Sequence, residues 1–182
     1  DLAGGFASEI RARLSGTKTK CFVDEHYVNG SYNVFSLTEI DPERQEAIVC
    51  IGDPTLRQKM IQKLPKRLKF FKFIDPTAQI HGSDVEIGEG SIICANSIIT
   101  TNVILGKHTQ LNLGTTIGHD TIVGNYFTTA PGAKISGNCV IGNRVYFGTN
   151  TSVREKIDIC DDVTIGLNAG VVKDITESGV YV

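Results

Sequence analysis

Tryptophan is absent from the 182 residues, methionine occurs once, and no CxxC pair joins any of the five cysteines. Cys21, Cys50, Cys94, Cys139 and Cys160 therefore read as buried or turn thiols, which fits a reducing, cytoplasmic compartment. No stretch approaches ~18 consecutive apolar residues, so nothing reads as a membrane-spanning helix. A long basic run is missing and the net charge is −2, which argues against nucleic acid or an anionic membrane as the main partner. No signal-peptide pattern is visible. The chain opens on Asp1 rather than Met, and we expect a start upstream of it. What is present is 41% hydrophobic content, enough for one or two domains with a real core. Isoleucine, valine, glycine and threonine dominate the second half, which is a β composition.

The chain divides near residue 75. In the first part Phe6, Ile10 and Leu14 fall on one stripe of a helix, just after AGG at 3–5. KCFVDE (20–25) reads as a short strand ending in acids, and EAIVCIG (46–52) as a buried strand. DPTLRQKMIQKL (53–64) follows as a helix: Asp53 is placed to cap it, Pro54 suits its first turn, and Leu56, Met60, Ile61 and Leu64 form its apolar face. Alternating strands and helices predict a small parallel sheet whose first strand lies largely before Asp1. Gly4 and Gly5, between a strand end and a helix start, read either as a structural turn or as backbone N–H groups for an anion. Asp24, 19 residues after Gly5, ends the next strand, where acids in α/β nucleotide folds often bind ribose hydroxyls. The full GxGxxG is lacking, and about 70 residues is too little for a dinucleotide fold, so a nucleotide-sugar head group fits better than NAD.

The second part repeats. An aliphatic or equivalent residue recurs every six positions without a slip: Ile87, Ile93, Ile99, Leu105, Leu111, Ile117, Val123, Thr129, Ile135, Ile141, Phe147, Val153, Ile159, Ile165 and Val171. Glycine often follows directly, and a small or apolar residue often stands two places earlier. Period six is neither a helix nor a simple strand. It predicts short strands joined by tight turns and stacked into a triangular prism of 18 residues per coil, roughly five coils over 87–171. Gly88, Gly106, Gly124 and Gly142 are spaced by 18 and should stack at one corner.

Several stretches together resemble a known family. AGGFA at the front, FVDE at 22–25, CIGDPTLRQK at 50–59, the block LNLGTTIGHDTIVGNYFTTAPGAKISGNCVIG at 111–142 and the ending DITESGVYV are similar to the hexapeptide-repeat nucleotide-sugar acetyltransferases. These are the relatives of bacillosamine N-acetyltransferase and sialic-acid O-acetyltransferase. The resemblance implies a Rossmann-like N-terminal domain (1–74) that binds a nucleotide sugar, and a left-handed parallel β-helix (75–182) that carries acetyl transfer. It implies a homotrimer with acetyl-CoA in the groove between neighbouring prisms. In the family the ending runs on into a glycine-proline-alanine loop, so we expect a segment beyond Val182.

Within TTIGHDTIVGNY (115–126), His119 and Asp120 interrupt the glycine and β-branched pattern. With the repeat alone, His119 reads as a solvated turn residue. Acetyl transfer from a thioester, however, needs a base for the attacking amine or hydroxyl, and an imidazole with an ordinary pKa of ~6.5 suits that role. Asp120 is placed to hydrogen-bond the other ring nitrogen. Gly137, 18 residues on, leaves space beside the histidine and can offer its N–H to an oxyanion. The family pattern agrees on these positions. It further implies that Asn112, Thr128, Gly137, Thr149, Gly166 and Leu167 line the acetyl-CoA site, although Thr128 stands where some relatives have a second histidine. By the same resemblance the nucleotide sugar would touch Gly4, Gly5, Asp24, Glu25, Gly52 and Asp53. Leu2 replaces a glycine usual in relatives, and Phe6 replaces a histidine of one branch. Zinc sites of the carbonic anhydrases built on such a prism use histidines five residues apart. Gly114 and Gly124 stand at that spacing from His119, so no metal is expected.

The expected activity is acetyl-CoA-dependent N-acetylation of the 4-amino group of a nucleotide-linked dideoxy sugar, with UDP, dTDP and GDP all open. Alternatives are O-acetylation of a sugar hydroxyl and a non-catalytic prism serving as an assembly module.

Overall fold

The computed structural model describes residues 4–14, 21–23 and 34–182. Helix α1 (Gly4–Arg13) carries the stripe expected of it: Ile10 is buried against Phe73, Ile92 and Cys94, with Phe6 and Leu14 half-buried beside it. An ion pair between Arg13 Nε and the buried Asp75 carboxylate, 3.2 Å, ties the helix end to the start of the second part.

Strands β1 (Cys21–Val23) and β2 (Val34–Ser36) pair in parallel, and so do β3 (Glu46–Ala47) and β4 (Lys69–Phe70). Among the described residues they form two two-stranded ladders, and the single small sheet expected is not seen. EAIVCIG becomes a strand only over its first two residues. The reason lies in where its carbonyls go. Val49 O accepts from Gln110 Nε2, and Ile51 O and Gly52 O accept from Arg57, so side chains take the acceptors that a neighbouring strand would have used. Helix α2 (Pro54–Lys63) starts as expected, with Asp53 Oδ1 accepting from Leu56 N at 2.7 Å and Pro54 in the first turn. Its buried face differs. Leu56 is 55% exposed, Met60 and Ile61 are half-buried, and the residue driven fully inside is Arg57.

From Phe73 onward the chain is a parallel β-solenoid. Its three ladders hold seven strands (Phe73–Ile74 to Gly179–Tyr181), six (Gln79–Ile80 to Gly170–Val171) and five (Glu86–Ile87 to Asp158–Ile159). Between Glu86 and Val171 strand partners stand 18 residues apart, as Thr116 with Ile98 and Lys134; the first rungs are 19 apart and the last 16. Every repeat aliphatic from Ile93 to Val171 points inward and is buried, including Thr129 and Phe147, and Ile87 at the open end is half-buried. The residue two places earlier also faces in. Where it is Thr or Ser, its hydroxyl finds a carbonyl, as Thr115 Oγ1 donating to Asn112 O at 2.8 Å and Thr151 Oγ1 to Gly166 O at 3.0 Å.

Each turn of the prism has three corners. We call first the one after the seven-stranded ladder (112–114 and equivalents), second the one at 118–120, and third the one at 124–126. The bend at each corner needs a left-handed residue, and one recurs every six positions. Non-glycine examples are Asn102 (φ 52°), His108 (56°), Asp120 (59°), Tyr126 (61°) and Asn138 (59°), with Gly90, Gly114 and Gly132 filling their places in the series. At the third corner the predicted glycine column is real: a Cβ on Gly106 would lie 2.5 Å from the carbonyl carbon of Gly124. An asparagine ladder closes the same corner, with Lys107 N donating to Asn125 Oδ1, Asn125 N to Asn143 Oδ1 and Asn143 N to Asp161 Oδ1.

His108 sits in this corner, 3% exposed, stacked on Tyr126 at 5.5 Å and edge-on to Phe70 at 4.8 Å. Its Nδ1 has no partner among the described residues. Burial pushes its pKa down to about 4. The unfolded chain takes up this proton near ~6.5 and the folded chain only near about 4. Between those values the unfolded state binds more protons, so stability falls as pH falls through this window, by about 3 kcal/mol in all. His108→Asn, which tolerates the left-handed backbone and does not titrate, should remove that part of the slope. Urea melts at stepped pH between 7.5 and 4 would show it; an identical slope in the variant would refute the assignment.

Burial also pushes the Cys94 thiol up to about 12, and Cys94, Cys139 and Cys160 carry free thiols.

Candidate functional site

The strand Thr116–Ile117 and the glycine after it deliver His119 to the second corner with its side chain 58% exposed. Asp120 follows in the left-handed position, which turns its carboxylate back toward the ring: His119 Nδ1 to Asp120 Oδ2 is 2.6 Å. A carboxylate only accepts, so Nδ1 carries the proton and the Nε2 lone pair is left to face outward. Asp120 Oδ1 accepts from Asn102 Nδ2 at 2.6 Å, one coil before. These two bonds, the one from Asn102 first and that from His119 second, hold the Asp120 carboxyl below the usual carboxylate range. The carboxylate therefore stays ionised at neutral pH and can steady an imidazolium.

Gly137 lies one coil on, directly under the ring. A Cβ there would approach His119 Cε1 and Nε2 to 2.8 Å. Its neighbour Asn138 donates its N–H to His119 O at 2.7 Å, and Gly137 O accepts from Lys156 N at 3.1 Å. The Gly137 N–H donates to no backbone carbonyl among the described residues. At the third corner the matching N–H groups of 107, 125 and 143 are taken by the asparagine ladder. Here the residue one coil further on is Glu155, which makes no such bond among the described residues, and the donor stays open. A proton acceptor and an N–H donor on adjacent coils, one coil spacing of ~4.8 Å apart, suit a carbonyl under nucleophilic attack. Gly137→Ala is expected to push the ring off Asp120 and lower activity at least tenfold with little change in melting temperature. A variant with wild-type kcat would show that the space is not needed.

The other sequence candidates fall elsewhere. Asn112, Thr149, Gly166 and Leu167 share the first corner. Asn112 Oδ1 accepts from Leu113 N at 2.8 Å, Thr149 O accepts from Asn168 N, and Gly166 N donates to Tyr181 O at 2.7 Å. Leu167 is 72% exposed. The first and second corners are different edges of the prism, so within one chain this group does not join His119. Thr128 joins neither. It is 4% exposed on the face covered by the first part of the chain, where its hydroxyl accepts from Arg57 Nη2 at 2.8 Å. Of the nucleotide candidates, Gly4 begins α1, Gly5 is exposed, and Gly52 and Asp53 form the turn into α2, with the Asp53 carboxylate occupied as its cap. Asp24 and Glu25 lie outside the described residues.

Asn102, Asn138 and Arg57 are absent from the sequence candidates. Counting 18 back and forward from Asp120, as from His119 to Gly137, would have found the two asparagines. Among the described residues no cluster of three or more His, Cys, Asp or Glu is placed to hold a metal ion, and no helix is long and apolar enough to cross a membrane.

No family model matches the chain. GDP-perosamine N-acetyltransferase of Escherichia coli O157:H7 is 26% identical over 144 residues, covering 76% of this chain and 56% of that protein. The chain thus spans about half the length of that relative. The acetyltransferase domain of PglB from Neisseria gonorrhoeae FA1090, in complex with acetyl coenzyme A, superposes with a TM-score of 0.86 at 26% identity, over 98% of this chain and 91% of that one. PerB from Caulobacter crescentus, in complex with CoA and GDP-perosamine, superposes with a TM-score of 0.88 at 26% identity, over 98% of this chain and 89% of that one.

Proposed function

We propose that this chain, whose homologues are hexapeptide-repeat nucleotide-sugar acetyltransferases, transfers the acetyl group of acetyl-CoA to an amine of a nucleotide-linked sugar. The observation that carries the proposal is His119, held by Asp120 at 2.6 Å over the glycine whose N–H is open. In this mechanism an acceptor arriving as ammonium first loses a proton to solvent water. The amine then attacks the thioester carbonyl while His119 Nε2 takes its second proton. The Gly137 N–H donates to the oxyanion, and Asp120 stabilises the imidazolium. As the carbonyl re-forms, the C–S bond breaks and His119 returns its proton to the CoA thiolate. The products are the N-acetyl sugar and free CoA.

The solenoid is read as left-handed and the chain as a homotrimer. Two observations support self-association. Ile104, Ile122 and Val140 stack as an exposed apolar stripe on the five-stranded face, 39%, 48% and 46% accessible. The first-corner residues and His119 lie on different edges, so a site that uses both needs a neighbouring prism. On this reading Asn112, Thr149, Gly166 and Leu167 of one subunit line the acetyl-CoA groove toward His119 of another. Residues 75–182 would then carry acetyl transfer. Residues 1–74 would be a Rossmann-like unit for the nucleotide sugar, with Gly4, Gly5, Asp24, Glu25, Gly52 and Asp53 at its contacts. Free thiols at Cys94, Cys139 and Cys160 are in keeping with a cytoplasmic setting.

The test is release of free CoA from acetyl-CoA with GDP-, UDP- and dTDP-linked 4-amino sugars. GDP-perosamine leads the panel because one relative is named for it and another is solved in complex with it. An acetylated product that resists mild base is an amide and supports the proposal. A base-labile ester would move the acceptor to a hydroxyl. Failure to bind acetyl-CoA at all would leave the prism as an assembly module.

A further inference from the structure

We propose that Asn102 is a positioning residue for the His119–Asp120 pair, fixing through its side-chain amide the rotamer of Asp120 and thereby the ring tautomer of His119. The inference deepens the acetyltransferase reading and rests on it. Three residues on two coils form one line: Asn102 Nδ2 donates to Asp120 Oδ1 at 2.6 Å, and His119 Nδ1 donates to Asp120 Oδ2 at 2.6 Å. The carboxylate can only accept, so the amide orientation of Asn102 is set by chemistry and not by choice of fit. An exposed aspartate with one hydrogen bond would turn about χ1 and χ2. With both oxygens held from opposite sides it has one useful orientation, and a proton on Nδ1 is the only ring state that satisfies it.

The coils themselves are locked by backbone bonds at the same corner, Asp120 N to Thr101 O at 3.2 Å and Asn138 N to His119 O at 2.7 Å. The Asn102 side chain is therefore spare as far as stacking is concerned. Its backbone has a simpler explanation: φ is 52°, in the left-handed region that asparagine tolerates. The two roles separate cleanly, because glycine and aspartate also tolerate that backbone, and Asp120 itself stands at φ 59°. If Asn102 served only the bend, Asn102→Gly would be silent. If it positions Asp120, glycine removes the donor, and aspartate faces one carboxylate with another.

The experiment uses the full chain, with 15N-labelled histidine for NMR and steady-state kinetics on the preferred acceptor. In the wild type the His119 nitrogen shifts should report mainly Nδ1–H. In Asn102→Gly they should move toward Nε2–H and kcat should fall roughly tenfold, as orienting partners do elsewhere, with KM for acetyl-CoA and melting temperature unchanged. Asn102→Asp should lose more. In an Asp120→Asn background, Asn102→Gly should add nothing further. Wild-type shifts and kcat in both variants would overturn the proposal, and so would an equal loss in the Asp120→Asn background. If the wild type turns over no acceptor, the acetyltransferase reading fails, while the tautomer comparison still decides what Asn102 does to the pair.

Discussion

Replacing His119 with alanine is expected to lower kcat by roughly 10²–10⁴-fold, the usual contribution of a positioned general base. The fold and acetyl-CoA binding should survive. The imidazole is 58% exposed, and its one hydrogen bond among the described residues runs to Asp120, itself at the surface. The backbone bond that registers this coil on the next, Asn138 N to His119 O, does not involve the ring. The inward neighbours Ile117 and Thr121 keep their packing. Asp120, held ionised by Asn102 and His119, does not limit activity in the neutral range. Turnover, calorimetric binding of acetyl-CoA and a thermal melt on the same preparation separate the outcomes. Turnover within threefold of wild type would remove His119 from the mechanism. Loss of binding together with rate would make it a contact to acetyl-CoA rather than a base.

How far the sequence speaks depends on which spacing carries the information. Inward residues recur every six positions because every coil solves the same packing problem, so Ile93 to Val171 could be placed before any coordinates. The 18-residue coil then put Gly137 beside His119 by counting alone. The left-handed series was equally regular, yet asparagine, histidine, aspartate, tyrosine, arginine and lysine all fill it. No residue type announces it, and the partners Asn102 and Asn138 went unmarked with it. The first part of the chain has no repeat to read. A strand was expected over 46–52 from its apolar run, but there Val49 packs on α2 and Leu68, Ile48 and Cys50 pack toward Phe73 and Ile92, and its carbonyls are claimed by Gln110 and Arg57. Such long-range bonds leave no local pattern. The same gap explains Leu56 and Arg57. An amphipathic count sends leucine inward and arginine outward, unless carbonyls from three separate segments wait at the end of the guanidinium.

Those carbonyls make Arg57→Leu the largest expected loss of stability, about 3–5 kcal/mol, as for removal of one partner from a buried charged network. The guanidinium is fully buried. Nε donates to His108 O at 3.0 Å. Nη1 donates to Ile51 O at 2.5 Å and Gly52 O at 3.2 Å, and Nη2 to Tyr126 O at 2.8 Å, Phe127 O at 3.2 Å and Thr128 Oγ1 at 2.8 Å. Burial pushes its pKa down to about 10, still well above neutral, so the group stays charged and donates through every N–H it can aim. Leucine would fill part of the volume and leave backbone acceptors from the 51–52 turn and from two coils buried without donors. Arg57→Lys should recover only part of the loss, because a single ammonium cannot span acceptors on both sides of the junction. The solenoid core does not include Arg57, so the damage should concentrate in the first part. We expect an early urea transition, with amide protection lost in α2 and the 49–52 segment while the coils around Ile117 and Phe147 stay protected. The kinetic signature follows from the same geometry. Gly52 and Asp53 sit on the turn that Arg57 holds, so if they contact the nucleotide sugar as proposed, its KM should rise by more than KM for acetyl-CoA. A single, unshifted transition with wild-type protection would mean that apolar contacts of Ile10 and Ile48 with Phe73, Ile92 and Cys94 hold the junction without the arginine.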